Sequence, residues 1–165
     1  MMGRALLVLG VLAAVGLAAA AALGYPLHGT ADPAVPRHVL AALASSLVLL
    51  FAHCWILLYL FATGRAIAEV VREHGVEPSV LDLVRGFQRR CWPPLLLAMA
   101  LAIATLVLGG ALMAGTVPAM AHHVLFWIAL AVQVWALGVE RRVLGENESL
   151  IADLDRRLAG RTAEA

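Results

Sequence analysis

Charged residues punctuate this chain in blocks, and the intervals between the blocks are its main signal. None occurs over positions 5–31, none over 38–64, and none over 91–139. The first two intervals each hold the ~20 apolar residues that a helix needs to cross the hydrocarbon core of a bilayer. The third is long enough for two crossings, and Ala114-Gly115-Thr116-Val117-Pro118 supplies a turn in its middle. The pattern predicts four transmembrane helices at about 5–23, 38–64, 94–113 and 118–139, with prolines opening the last two, where a missing N–H costs nothing. Arg4, the apolar stretch after it and the alanines at 18–22 also resemble a secretory signal peptide, but the run is long for one, and a retained span is expected.

Between the second and third spans, the 65–91 segment reads as helical rather than as a linker. Its first part continues the second span, and Gly75 offers the left-handed conformation that ends such a helix. Pro78-Ser79 restarts the chain. Val80, Leu81, Leu83, Val84 and Phe87 then fall on one face and Asp82, Arg85, Arg89 and Arg90 on another, which predicts an amphipathic helix capped by Ser79 in the headgroup region, with Trp92 at the interface. After the fourth span, Glu140-Arg141-Arg142 marks the inner interface and Gly145 allows a bend. Leu150, Ile151, Leu154 and Leu158 recur at helical spacing among charges, so 145–165 is expected to form a short cytoplasmic amphipathic helix.

Composition agrees with a membrane protein. Of 165 residues, 62% are hydrophobic and 14% charged, with a mean hydropathy of +0.89, against about 45–50% and about 25% in soluble domains. The expected fold class is an all-α integral membrane protein, its four helices in an antiparallel bundle. Twelve basic residues, all arginine, nearly cancel eleven acids, leaving +1 and no electrostatic footprint for nucleic acid. Their distribution is informative. With the N-terminus inside, Arg37 is the one arginine outside, and the positive-inside rule places both termini in the cytoplasm. The all-arginine, alanine-rich composition fits a GC-rich bacterial genome and hence the bacterial inner membrane.

Polar side chains within spans are costly unless paired, so they are where function is sought. The second span carries Ser45, Ser46, His53, Tyr59 and Thr63, the third Thr105 and the fourth Gln133, and no acid falls inside any span. Ser46 and His53, seven apart, share a face directed into the bundle. Depth along the helix axes matches His53 with Thr105 and Tyr59 with Gln133 as hydrogen-bonded pairs. His53 is the candidate cofactor ligand. His28, His38, His122 and His123 gather at the outer boundary near Met113 and Met120, donors that suit copper, zinc or haem iron, though without an HxH or HxxxH spacing. Cys54 and Cys91 form no CxxC pair and read as small buried hydrophobes.

No nucleotide-binding, zinc-protease or hydrolase motif occurs, and no catalytic set assembles at one depth. Gly16, Ala20 and Gly24, and the pair Gly109-Gly110, make small-residue faces suited to close helix contact within the chain or with a neighbour. These features lead to a non-enzymatic accessory or assembly subunit of a larger membrane complex, in contact with lipid and with other subunits or a second copy, requiring no cofactor. The alternative is a haem b or copper protein for electron transfer or metal delivery. A small transporter of a neutral solute comes third.

Overall fold

The computed structural model describes residues 2–27 and 32–163, the last three by backbone alone. Among them the chain forms four helices joined by short turns and contains no strand: α1 (Met2–Gly24), α2 (Val35–His74), α3 (Val80–Met113) and α4 (Ala119–Ala163). Each helix has a stretch long and apolar enough to cross a membrane. Their outward faces carry large apolar side chains such as Leu12, Leu40, Phe51, Val107 and Trp135, all exposed. In a soluble protein, apolar surface on this scale would drive association; against lipid it is solvated.

α1 packs along α2 and α3 along α4, while α2 against α3 and α1 against α4 complete a ring. α2 and α4 face each other across its diagonal and barely approach through their backbones. What fills the centre therefore depends on side-chain length. The end where α1 joins α2 and α3 joins α4 is called the outer end here, from the arginine distribution.

α1 lies close to its neighbours because its inward stripe is small: Gly3, Leu6, Gly10, Ala13 and Ala20 are buried. A Cβ at Gly16 would stand 2.3 Å from Ser45 Oγ, so α2 approaches α1 at a distance only glycine permits. The small-residue face of α1 is thus used within the chain. Gly75 ends α2 in the left-handed region at φ 61°, ψ 34°. Gly115 likewise takes a positive φ, 72°, in the turn before Pro118 and α4.

α2 runs on to Gly75 as expected, while α3 and α4 each take in a segment that the sequence suggested as a separate helix. The 79–90 segment is the first part of α3, which continues through Pro93 and Pro94. The two prolines remove two backbone donors without starting a new helix. Ser79 stands at the N-cap but its hydroxyl makes no capping bond. Most of the apolar face of this segment packs within the chain, while Leu83 is exposed. Val80 and Val84 are buried with Ile67, Val76 and Leu154 in one cluster that joins the inner ends of α2, α3 and α4. α4 passes Gly145 without a break, and Leu154 on its far side belongs to that same cluster. An amphipathic stripe tells that an apolar face will be covered; here Ile67 of α2, Val76 of the turn and Leu154 of α4 pack on Val80 and Val84.

Candidate functional site

The inner half of the bundle is densely packed. Ile56, Leu60, Cys91, Leu95, Ala136 and Val143 are all at 2% exposure or less, in a core that also holds Leu6, Phe87 and Leu144. Within this apolar surround five polar residues are buried: Ser46, His53, Gln133, Glu140 and Asn147. Three of them, Gln133, Glu140 and Asn147, repeat every seven residues along α4, so they form one column facing α2.

His53 and Glu140 are both fully enclosed, at 0% exposure, with His53 Nδ1 2.8 Å from Glu140 Oε1. On its other side His53 Nε2 lies 2.9 Å from Gln133 Oε1. The ring bridges the bundle diagonal, between an α2 residue and two α4 residues one helical heptad apart. With Gln133 Oε1 turned to the ring, Nε2 carries a hydrogen and donates it. Nδ1 and Oε1 then bond only when a single proton lies between them, either as imidazolium with carboxylate or as imidazole with carboxylic acid. Both forms are neutral overall, which is what an apolar interior demands. Glu140 Oε2 and Gln133 Nε2 are buried with no hydrogen-bond partner among the described residues. α1 closes this side by backbone: a Cβ at Gly10 would sit 2.7 Å from Leu137 and 3.6 Å from Glu140 Oε2. From α3, Cys91 comes within electrostatic reach of Glu140.

Asn147 extends the column, donating from Nδ2 to Thr63 Oγ1 at 3.3 Å. Its level marks the inner margin, near Gly3 against Glu148 and Arg90 paired with Glu146. Glu140 lies two turns before Asn147 on α4, ~10 Å by helical rise.

The pairs that depth alone suggested do not form. Thr105 Oγ1 donates to Leu101 O on its own helix at 2.7 Å, not to His53. Gln133 is engaged with His53, and Tyr59 interacts with Asn147. Glu140, which the sequence marks as an interface residue just past the fourth span, is instead fully buried in the bundle. It stands first after the uncharged run and beside Arg141 and Arg142, so it reads as interface. The two arginines are exposed on the other face of α4 and their long stems let the charges reach water, while Glu140 turns inward. The signal that could have found it is the seven-residue spacing to Gln133.

The outer half is different. There a cavity of about 470 Å³ lies between all four helices, floored near Ser46, Leu49, Ala98 and Ala102. Its walls are mostly apolar, and three of the predicted histidines, His38, His122 and His123, line it together with Thr105. His28 lies outside the described residues. His38 Nδ1 donates to Ala20 O at 2.8 Å, which leaves Nε2 as an acceptor. His122 packs on Gly109 and its Nδ1 is buried with no partner among the described residues. His123 stacks on Tyr25 at 5.1 Å, and Tyr25 OH accepts from Trp127 Nε1 at 2.6 Å, tying the end of α1 to α4. Although the three histidines share a cavity, no group of three His, Cys, Asp or Glu side chains among the described residues is placed to hold a metal ion. Cys91 is buried, and Cys54 is exposed on the outward face of α2, contrary to its expected burial.

No known protein family, curated protein or solved structure matches this chain.

Proposed function

We propose that this chain is a multi-pass protein of the bacterial inner membrane, an antiparallel four-helix bundle with both termini cytoplasmic, that binds a lipid-soluble molecule bearing hydrogen-bonding oxygens. The observation that carries this reading is the outer cavity. Its volume of about 470 Å³ falls within the ~300–1,000 Å³ usual for small-molecule sites, and its apolar walls with a few convergent polar groups have the usual composition of such sites. His38 Nε2 offers an acceptor to a hydroxyl group, and His122 Nδ1, buried with no partner among the described residues, offers a second ring nitrogen. Binding of this kind needs no catalytic set. Haem b belongs among the candidate occupants because imidazole is its common axial ligand.

The accessory-subunit reading has less to stand on than the sequence suggested. The small-residue stripe of α1 is consumed by α2 and α4, and Leu154 in the C-terminal stripe is buried within the chain. Co-purification of a stoichiometric partner would restore it.

The test is direct. The full chain, purified in mild detergent without chelators, is extracted with organic solvent for mass spectrometry, its absorbance spectrum is recorded, and a short-chain quinone and haem are titrated against tryptophan fluorescence. Saturable binding of one of them, or a single co-extracted lipophile, is expected; an empty extract together with no saturable binding would overturn the reading. Reporter fusions after Val76 and near Pro33 test the orientation, with cytoplasm expected at the first and the outside at the second.

A further inference from the structure

The outer cavity ends close above the His53 cluster. Ser46, on the cavity wall, is seven residues before His53 on the same helix, and Leu130, also on the wall, is less than one turn before Gln133. Gln133 thus lies less than one turn past the cavity wall and in contact with the enclosed His53, with an amide Nε2 that has no partner among the described residues.

A pair whose only role is to fix helix register would be expected to satisfy its polar atoms, because each one left bare in an apolar interior is destabilising. Here Glu140 Oε2, Gln133 Nε2 and the proton-dependent contact of His53 Nδ1 retain bonding capacity, at 1% exposure or less. Asn would satisfy a register role without carrying a charge. A carboxylate and an imidazole together instead make a unit whose charge changes by one with each proton gained or lost.

We propose that His53, Glu140 and Gln133 form an intramembrane proton-binding site, which exchanges one proton with the outer side through the cavity above Gln133. In the resting pair one proton sits between His53 Nδ1 and Glu140 Oε1. Transfer of a proton from hydronium to the pair releases water and leaves imidazolium beside carboxylic acid, a net charge of +1. Transfer of the shared proton to water regenerates hydronium and leaves imidazole beside carboxylate, a net charge of −1. The route for both transfers is the Gln133 side, towards the cavity; Gly10 of α1 and Cys91 of α3 also lie near Glu140. Cys91 is the titratable group among these; Tyr59 on α2 is engaged further along with Asn147 and Glu148. The site stands without any cavity occupant and is tested in its absence.

Infrared difference spectra of the full chain in detergent, with no ligand added, are recorded in water and heavy water as the pH is stepped from about 4 to 9, the range that brackets ordinary carboxyl and imidazole titration. The expected result is one protonated-carboxyl band that shifts in heavy water and changes with pH. The band is absent in Glu140→Gln, and His53→Gln alters its pH response. A Glu140 carboxyl that neither exchanges nor titrates would overturn the proposal and leave a purely structural pair. Should Glu140→Gln fail to fold, isotope-labelled histidine in the unaltered chain decides the matter by magnetic resonance. The buried ring, shielded from a water-soluble paramagnetic ion, either changes its nitrogen signals with pH, as the proposal requires, or holds them constant, which overturns it. Failure of ligand binding leaves this readout untouched, so the two proposals fail separately.

Discussion

The two halves of the bundle are built from the same four helices around the same diagonal, yet one is solid and the other hollow. In the inner half the centre is reached by long side chains, Leu60, Leu95, Phe87, His53 and Glu140. In the outer half several of the positions facing the cavity are short, Ala42 and Ser46 on α2, Ala102 on α3 and Ala129 on α4, beside larger ones such as Leu106 and Phe126. Helix spacing is set by the closest pairs around the ring, so it cannot shrink to make up for short residues on the diagonal. A cavity is the result. Short residues pull two helices together only where they lie between direct neighbours, as Gly16 does against Ser45; placed on the diagonal, they leave space.

The contrast can be broken most sharply at the polar pair. His53→Leu alone strands a buried carboxyl group and is expected to destabilise the bundle by about 3–5 kcal/mol, whereas His53→Leu with Glu140→Leu is expected to recover most of that loss. Unfolding in mixed micelles measures both, and equal losses in single and double variants would show that the pair is not coupled. The stranded carboxylate is why this expectation exceeds the ~0.6–2 kcal/mol of an ordinary interhelical hydrogen bond.

Packing gives the next largest effect. Leu95→Ala, at 0% exposure in the inner core, should cost about 2–4 kcal/mol through the void it leaves, while Leu106→Ala, on the wall of an existing cavity, should cost about 1 kcal/mol or less. Similar values at the two positions would mean that the outer half is filled as tightly as the inner.

Gly16→Val tests the place where the outer half is tight. Its Cβ would collide with Ser45, so a loss of about 1–3 kcal/mol is expected from overpacking, and the Gly16→Val, Ser45→Gly double variant should regain part of it. The smallest effect is the most useful for the site. Nothing stands within 4 Å of a Cβ at Gly110 on the cavity wall, so Gly110→Leu is expected to leave stability unchanged or raise it by up to about 1 kcal/mol through helix propensity. By filling the cavity it should also weaken ligand binding at least severalfold in the fluorescence titration.

Much of the architecture was legible along the chain, and the reason is that a bilayer imposes length and apolarity on each segment separately. Uncharged runs of sufficient length gave four helices, Gly75 marked one helix end, and Gly115 with Pro118 marked the turn into the last. These are local properties, fixed by backbone hydrogen bonding and by the conformations open to glycine and proline. Which polar residues meet was not local. His53 was recognisable as an unusual residue in an apolar run, but its partners depend on how α4 rotates about its own axis and how far its inner part extends beyond the uncharged stretch. Glu140 beside two arginines carries the composition of an interface, and only the packing of α4 against α3 and α1 turns it inward while Arg141 and Arg142 face out. The destination of the amphipathic stripes at 80–87 and 150–158 was likewise a tertiary matter: sequence periodicity sets which face is apolar, and the surface that covers it is chosen by the free energy of the whole assembly. The cavity is the clearest case, since a void has no residues of its own and arises only from the mismatch between helix spacing and side-chain length across the diagonal.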